Sequence, residues 1–562
     1  MKTTGAKLLR TLLERQGIRT ISGIPGGAIL PFYDALRGSS IRHVLARHEQ
    51  GAGFIAQGMA RATGRPAVCL ATSGPGATNL LTAIADARLD SVPLVAITGQ
   101  VSQALIGTDA FQEVDTYGLT IPITKHNFLV RSASELLETV PLAFQMAESG
   151  RPGPVVIDIP KDVQNDEIDV DRWPEPGRAV AAHPCPENSV AELARRLAAA
   201  RRPVLYLGGG VISSGAAELA CSLAHRISAP TVCTLMALGA VPPTDPLFMG
   251  MLGMHAAKGT NLLLEEADLL LAIGARFDDR ATGKVAEFCP RADVAHIDID
   301  RAEIGKIRQP FLGLVGDAAE ILRRLLARLS AQDRPEWRAR AIELRKAHPL
   351  RHPSRAEDPL HPLNICRFLG EALPSDSILT TDVGQHQMWV AQAYPVRHPR
   401  GLLTSGGLGT MGFGLPAAIG AALAEPGHRV VCVSGDGSLL MNIQELATLA
   451  ELGLPVAVLV FNNAQLGLVR QQQELFYDRR FNGAHFESTP DFAALARAFG
   501  IRGERLSPDG DPLDDLAAIL ASDGPCVIDI PIHEGANVLP MVPPGAANRN
   551  MIEEPEPSYS HA

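Results

Sequence analysis

The sequence predicts an α/β protein of three doubly wound parallel-sheet domains. Three observations carry that expectation. Short valine-rich apolar runs alternate with amphipathic, helix-length segments along all 562 residues. Two stretches dense in proline and charge, DVDRWPEPGRAVAAHPCPENS from Asp169 and AQDRPEWRARAIELRKAHPLRHPSRAEDPLHP from Ala331, divide the chain near residues 180 and 350. The first and third parts each close on a GP-x-VIDIP strand, at 153–160 and 524–531, an echo that suggests duplication. The expected domains are 1–175, 186–335 and 355–545, followed by a tail over 546–562.

Taken in order, MKTTGAKLLRTLLERQG has the period of an amphipathic helix and lacks the apolar stretch of a signal peptide, so no cleavable leader is expected. In the first part RHVLA (from Arg42), PAVCLAT (Pro66), PLVAITG (Pro93) and PVVIDIP (Pro154) read as strands. GIPGGAILP from Gly23, TSGPGATNLL from Thr72 and GTDAFQEVD from Gly107 read as turns that open helices at one sheet edge. In the second part the strands are PVLYLGGG (Pro203), ADLLLAIGA (Ala267) and VAHIDID (Val294); in the third, SILTTD (Ser377), RVVCVS (Arg429), PVAVLVF (Pro455) and PCVIDIP (Pro525). The stretch from His533 reads as loop, a lid or a frayed end.

Composition narrows the function. Apolar residues at 46% and charged residues at 20% are an ordinary soluble balance, and no run of ~18 apolar residues would span a bilayer. A net charge of -10 without a long basic run argues against a nucleic-acid or membrane-surface partner. Eight scattered cysteines without a CxxC pair suggest reduced thiols, not a disulfide frame or a zinc site, and hence a cytoplasmic enzyme.

Asp436 and Asn463 are the most informative pair. Gly435-Asp436-Gly437-Ser438 follows RVVCVS, and Phe461-Asn462-Asn463 closes LPVAVLVF, 27 residues after the aspartate. Between them SLLMNIQELATLAELG, from Ser438, has an amphipathic helix pattern. Such a βαβ unit brings both strand ends to one edge, where a carboxylate and a carboxamide face each other beside a glycine turn. Hard oxygen ligands beside a diphosphate suit Mg²⁺. Arg47-His48-Glu49-Gln50-Gly51 starts a helix after a strand, where an acid also suits the helix dipole. TDVGQHQMW from Thr381 follows another strand, and SGGLGTMGFGLPAAIGAAL from Ser405 opens a helix with five glycines, which permits close backbone approach to a ligand. LGGGVISS from Leu207 is a glycine turn suited to a pyrophosphate.

The Gly-Asp-Gly, spacer, Asn-Asn block resembles the motif of the thiamine diphosphate (ThDP)-dependent enzymes. Together with GIPGGAILPFYDAL, ARHEQGAGFIAQGMARATG, TSGPGATNL, GTDAFQE, SGRPGPVVIDIPKDVQ, GARFDDR, GLGTMGFGLPAAIGA, QQQELFY and PMVPPGAAN, nearly the whole chain resembles the acetohydroxyacid (acetolactate) synthase catalytic large-subunit family. The resemblance implies a pyrimidine-binding domain, a central FAD-binding domain and a diphosphate-binding domain, with ThDP, Mg²⁺ and FAD as cofactors. It implies decarboxylation of pyruvate on ThDP and transfer of the two-carbon unit to a second pyruvate or to 2-oxobutyrate, the first common step of branched-chain amino-acid biosynthesis. It makes Glu49 the acid at N1′ of the aminopyrimidine, where a protonated carboxyl favours the imino tautomer. Gln112, Lys161 and Arg280 match active-site positions, Arg280 for the second substrate's carboxylate; Phe111 would wall the pocket. The metal ligands would be Asp436, Asn463 and the backbone carbonyl of Gln465. Gly26, Gly384, Gln385, His386, Gly409, Met411, Gly437 and Ser438 would surround ThDP, Met411 holding it bent and the Gly409 carbonyl accepting from its amino group. FAD, with no net redox task, would lie on Gly208, Gly209, Gly210, Thr234, Leu235, Met254, His255, Gly274, Arg276, Asp298 and Asp317, with Arg151 reaching in from the first domain. The resemblance further implies a homodimer or homotetramer, in which Glu49 of one subunit meets the metal half of another, and a small regulatory subunit.

Two departures stand out. Gln471-Gln472-Gln473 replaces the Gln-Trp-Gln of many members, as in the bacterial isozyme I type, and Ser102 stands where many have proline. Loss of the aromatic surface implies weak preference for 2-oxobutyrate, and both changes imply low sulfonylurea sensitivity. Other readings are a different ThDP carboligase, decarboxylase or oxidase, and a non-catalytic ThDP-fold subunit; retention of Glu49, Asp436 and Asn463 weighs against the last.

Overall fold

The valine- and leucine-rich runs become strands, many of them buried along their whole length, as parallel strands covered on both faces must be. The computed structural model describes residues 2–553; the end of the tail expected over 546–562 lies outside the described residues. Three six-stranded sheets form, all with parallel neighbours, and a short antiparallel pair, Lys2–Thr4 with Glu167–Asp169, ties the two ends of the first domain.

The first sheet runs, in spatial order, Arg42–Leu45, Thr20–Gly23, Ala67–Ala71, Leu94–Gln100, Pro154–Pro160, His126–Leu129. The third runs Leu402–Leu403, Ile378–Thr381, Val430–Gly435, Val456–Asn462, Cys526–Pro531, Arg502–Arg505. Numbered within each domain, both read 2-1-3-4-6-5. The echo of the VIDIP strands is therefore a repeat of topology. The middle sheet, Phe248–Met251, Thr231–Cys233, Pro203–Leu207, Leu269–Ile273, Asp293–Asp298, Leu312–Val315, reads 3-2-1-4-5-6. In each sheet the order reverses beside the first strand, and the crevice beyond those strand ends is where such folds take ligands.

The first and third domains meet through two helices, Glu49–Thr63 and Gly414–Ala424. Glycine lets their backbones touch. A Cβ on Gly58 would lie 2.2 Å from the Ala417 carbonyl oxygen, and one on Gly420 2.0 Å from that of Ile55. Phe54 and Phe413 pack edge to face with centroids 5.3 Å apart. Buried Arg61 closes the seam, donating to Asp86 and Asp90 at 2.9 Å each and to the Thr404 carbonyl at 3.0 Å. A buried cation is tolerated only when its donors are matched in this way.

Three expectations change. The single helix expected from Ser438 is two, Asp436–Leu439 and Glu445–Leu452, because the Asn442 amide turns to the Gly412 carbonyl at 2.8 Å and to Gln50 at 3.3 Å. GTDAFQEVD opens no helix: the Glu113 carboxylate gathers the N–H groups of Gly107, Thr108 and Ala110 into a loop, and the next helix begins at Thr116. The stretch from His533 is neither lid nor frayed end as far as residue 553. Val542 donates to the Met254 carbonyl, Lys284 to that of Ala546 and the Asn548 amide to that of Ala281, each at 2.9 Å, with Met541, Val542 and Ala547 buried. The charged helix Pro335–Ala347 is also docked, its Trp337 indole donating to the Pro203 carbonyl at 2.9 Å. No helix of the described residues is long and apolar enough to cross a membrane.

Because the Gly58 contact is with backbone, which cannot step aside, Gly58→Val is expected to lower stability by about 1–3 kcal/mol, an overpacking cost. Chemical denaturation of the variant beside the parent measures it; an unchanged midpoint would contradict the crossing.

Candidate active site

The third sheet places Asp436 at the end of Val430–Gly435 and Asp382 at the end of its neighbour, on either side of the order reversal. Asp436 is 2% exposed. Its carboxylate accepts from Gly437 N at 2.9 Å and from Gln465 N at 3.2 Å, so it already bridges the two turns of the motif. Burial pushes it up to about 6. The Asn463 amide donates to Gln385 Oε1 at 3.3 Å, which leaves its carbonyl oxygen for another partner. The turn after Asn463 is clamped by Leu466 N to the Ala484 carbonyl (2.7 Å) and Phe486 N to that of Ala464 (2.9 Å).

Several glycines here have no room for a side chain. A Cβ on Gly437 would sit 2.8 Å from Leu466 Cδ2, and one on Gly435 3.0 Å from His386 Nδ1. His386 is buried, pushed down to about 3 and hence neutral, and its Nε2 has no partner. Gln465 Oε1 is likewise buried and unpartnered. Ser438 donates to the Val383 carbonyl at 2.6 Å. Gly384 and Gln385 begin the next helix, Gly409 takes a left-handed φ of 71°, and Met411 is half-buried just before the Gly414–Ala424 helix. One carboxylate, one amide oxygen and an adjacent carbonyl, beside a neutral imidazole and tight glycine turns, fit a magnesium diphosphate.

The first domain supplies the other half. Glu49 starts its helix behind His48, whose Nδ1 caps the Gln50 N–H at 3.0 Å. Asn79 donates to Glu49 Oε2 at 2.8 Å. A Cβ on Gly76 would lie 3.5 Å from Glu49 Oε1, and one on Gly74 2.7 Å from the Gln112 carbonyl, so the TSGPG turn stands between Glu49 and Gln112. Gly26 rests on Thr72 of the same turn. Gln112 has φ 59°, and its neighbour Phe111 is 88% exposed. Lys161 is exposed at the start of the short helix after the VIDIP strand. Arg280 lies on the middle domain, 64% exposed and 3.6 Å from Asp279; no hydrogen bond or ion pair of the described residues joins it to Glu49, Gln112 or Lys161.

Three buried residues to which the sequence assigned no role organise this site. Glu445 accepts from the N–H groups of Arg47 (2.9 Å) and His48 (3.0 Å), gripping the turn before Glu49 from the third domain; burial raises its pKa. Asp382 accepts from Val383 N (2.9 Å), Gly412 N (2.7 Å) and Ser434 (3.2 Å), and burial pushes it up to about 6. Gln471 accepts from Gln385 (3.0 Å) and Val538 N (2.8 Å) and donates back to the Val538 carbonyl (2.9 Å). Their only sequence signal was a polar residue at a strand end or on an apolar helix face. Gln472 between its neighbours is exposed on the Gly467–Phe476 helix, and Ser102 sits just before a turn of 3₁₀ helix.

In the middle domain Gly208 and Gly210 face Gly274 across the order reversal: a Cβ on Gly208 would lie 2.1 Å from the Gly274 carbonyl oxygen. Gly209 packs on Met236, and the Thr234 hydroxyl just before Leu235 is buried without a partner. Met254 donates to the Arg280 carbonyl at 2.8 Å and His255 meets the Pro540 carbonyl at 3.1 Å. Arg276 bonds the Leu89 carbonyl. Asp298, pushed up to about 6 by burial, accepts from Asp300 N, and Asp317 caps the following helix. Arg151 reaches Glu303 at 2.7 Å and Asp300 at 3.4 Å, beside a cavity of about 310 Å³ between the first and middle domains lined also by Arg88, Lys125 and Arg301. The orphaned hydroxyl, tight glycine turns and basic cleft fit a flavin dinucleotide.

Residues 3–119 match the thiamine pyrophosphate enzyme N-terminal TPP binding domain, 190–325 its central domain and 382–530 its C-terminal TPP binding domain. The chain is 54% identical to the acetolactate synthase isozyme 1 large subunit of Escherichia coli, covering 98% of both chains. It is 48% identical to the isozyme 2 large subunit of the same organism over 98% of this chain and 99% of that one. A probable acetolactate synthase large subunit of Methanocaldococcus jannaschii is 46% identical over 98% and 95%.

His255, which anchors the tail, is pushed by burial from its ordinary 6.5 down to about 4. A depressed histidine contributes stability that is present above pH 6.5 and lost as pH falls toward 4. Denaturant midpoints of the cofactor-free protein should therefore fall over that window, and fall less in His255→Gln; identical pH profiles would refute the assignment.

Proposed function

The chain belongs to the acetolactate synthase large-subunit family of thiamine diphosphate enzymes, and we propose on that premise how its own residues divide the work. The reaction joins two 2-oxo acids with loss of carbon dioxide. Pyruvate is decarboxylated, and its two-carbon unit passes to a second pyruvate, giving 2-acetolactate, or to 2-oxobutyrate, giving 2-aceto-2-hydroxybutyrate. The observation that carries this reading is the Asp436 carboxylate held across both turns of the motif, beside the free oxygen of Asn463 and the open nitrogen of neutral His386.

ThDP, Mg²⁺ and FAD are the cofactors, and bound ThDP supplies a carbon nucleophile and the electron sink for decarboxylation. Asp436, Asn463 and the Gln465 carbonyl would hold Mg²⁺. Gly384, Gln385, His386, Gly437 and Ser438 receive the diphosphate, Gly26 and the TSGPG turn the pyrimidine. Met411 and Gly409 would line the ThDP site between the two halves. Glu49 holds and returns a proton at N1′, its carboxyl kept in place by Asn79. Gln112 and Lys161 belong to the active site, and the exposed fork of Arg280 takes the carboxylate of the second substrate. Arg151, Gly208, Gly209, Gly210, Thr234, Leu235, Met254, His255, Gly274, Arg276, Asp298 and Asp317 would hold FAD, which would have no net redox task.

Two copies complete the site, Glu49 of one facing the metal half of the other. The stiff loop that holds Phe111 88% exposed, with Leu105 at 48% and Ile106 at 37%, supports this, since such an apolar edge is made to be covered. The relatives are named large subunits, which supports a small regulatory partner.

Purified protein with ThDP, Mg²⁺ and FAD is expected to make acetolactate from pyruvate, and both products when 2-oxobutyrate is added. Glu49→Ala should lower the rate by about 100- to 10,000-fold, the usual worth of a positioned acid–base. Acetyl phosphate or acetaldehyde as the main product would move the assignment to another ThDP enzyme. Gln472→Trp should raise the share of 2-aceto-2-hydroxybutyrate by roughly tenfold, the scale of one apolar contact; an unchanged product ratio in competition would remove Gln472 from acceptor choice.

A further inference from the structure

The two VIDIP strands occupy the same place in the first and third sheets, and each buries one aspartate, Asp158 at 1% and Asp529 at 0% exposure. Each aspartate faces a side-chain amide on the next strand inward. Gln100 is paired with Pro160 and Asn462 with Pro531, so both amides stand two residues beyond their aspartate in the ladder. Gln100 Nε2 donates to Asp158 Oδ2 at 3.0 Å, and Asn462 Nδ2 donates to Asp529 Oδ1 at 3.0 Å. The second carboxylate oxygen is served from opposite sides: by Thr98 at 2.6 Å on the inner strand, and by Arg505 at 2.8 Å on the edge strand. The acid–amide pair is thus the shared element and the second donor is not.

What each amide does next differs. Gln100 Nε2 also donates to the Val114 carbonyl at 2.9 Å, and its Oε1 accepts from Val101 N at 2.8 Å. It therefore closes the base of the 101–114 loop that presents Phe111 and Gln112. The Asn462 oxygen accepts from Ala464 N at 3.3 Å, bracing the turn across Asn463. An amide can turn either face to its surroundings, and here both oxygens of each acid already accept, one of them from the amide N–H₂. A buried acid thus fixes which way its amide points, with N–H₂ toward the acid and oxygen toward the backbone it must brace.

We propose that Asp158 and Asp529 are a duplicated pair of positioning residues: Asp529, through Asn462, sets the Asn463–Gln465 turn for the magnesium diphosphate, and Asp158, through Gln100, sets the 101–114 loop for the substrate. The inference rests on the cofactor and reaction assigned above. It predicts defects that separate.

The test compares Asp529→Ala and Asp158→Ala with the parent, measuring Mg²⁺·ThDP binding by calorimetry on the cofactor-free protein, pyruvate KM at saturating cofactor, and the thermal midpoint. Asp529→Ala should bind Mg²⁺·ThDP roughly tenfold more weakly, the worth of one hydrogen bond to a charged group, with KM within about twofold of the parent. Asp158→Ala should show the reverse, KM raised roughly tenfold and cofactor binding unchanged. Asp529→Asn and Asp158→Asn, which keep an oxygen for the amide, should recover most of each loss. If the alanine variants do not fold, Asn462→Leu and Gln100→Met cut the same bonds from the other side and should give the same separation. Equal loss of both parameters in both variants, or asparagine variants as impaired as alanine, would reduce the pair to ordinary core groups. A parent that neither binds Mg²⁺·ThDP nor makes acetolactate would instead overturn the underlying reading.

Discussion

The close passage of two helix backbones, Glu49–Thr63 over Gly414–Ala424, is the constraint on which the rest depends. At Gly58 and Gly420 each backbone presses on a carbonyl of the other. Close-packed interiors transmit such a contact without slack. The helix that begins with Glu49 and the helix that follows Met411 are therefore one rigid object, and the turns at their ends are held in one frame. Arg61 fastens one end of the crossing to Asp86 and Asp90, and Glu445 fastens the other by taking the Arg47 and His48 amides.

Around that frame the protein spends buried polar groups in quantity. Asp382, Asp436, Glu445 and Gln471 are all removed from water, yet each has backbone or amide donors in place. Burying such groups is costly unless they are paired, and paired they leave little choice of geometry. His386 Nε2 and Gln465 Oε1, on residues that pack against the Gly435 and Asp436 turns, are buried without a partner.

Much of this was legible in the chain. Strand positions and the reversal-point motifs follow from local signals: valine-rich runs for buried parallel strands, and glycine with an acid where a strand meets a phosphate-binding turn. The identity of the sheet orders was hinted at only by the VIDIP echo. Contacts across long sequence separations were not legible. Glu445 and Arg47 are 398 residues apart, and nothing in the period of QELATLAEL marks its glutamate as buried. Asn442 broke an otherwise good helix pattern for the sake of a partner carbonyl 30 residues earlier. The Glu113 loop looked like a helix start because glycine and acid serve both, and only the φ of Asp109 and Gln112, 59° in each, separates them. The segment from His533 reads as loop because its bonds run to the third and middle domains and leave no periodicity.

That segment has a consequence for how the molecule is made. Residues 541–548 brace Met254 and Lys284 with backbone hydrogen bonds and Ala281 with the Asn548 amide, yet they are among the last of the described chain to be synthesised. Domains fold as they leave the ribosome, N-terminal ones first. The middle domain must therefore wait, with the wall around Arg280 open, until the whole third domain has been translated. A ribosome that stalls within the third domain leaves the first two domains complete in sequence but the middle one without its brace.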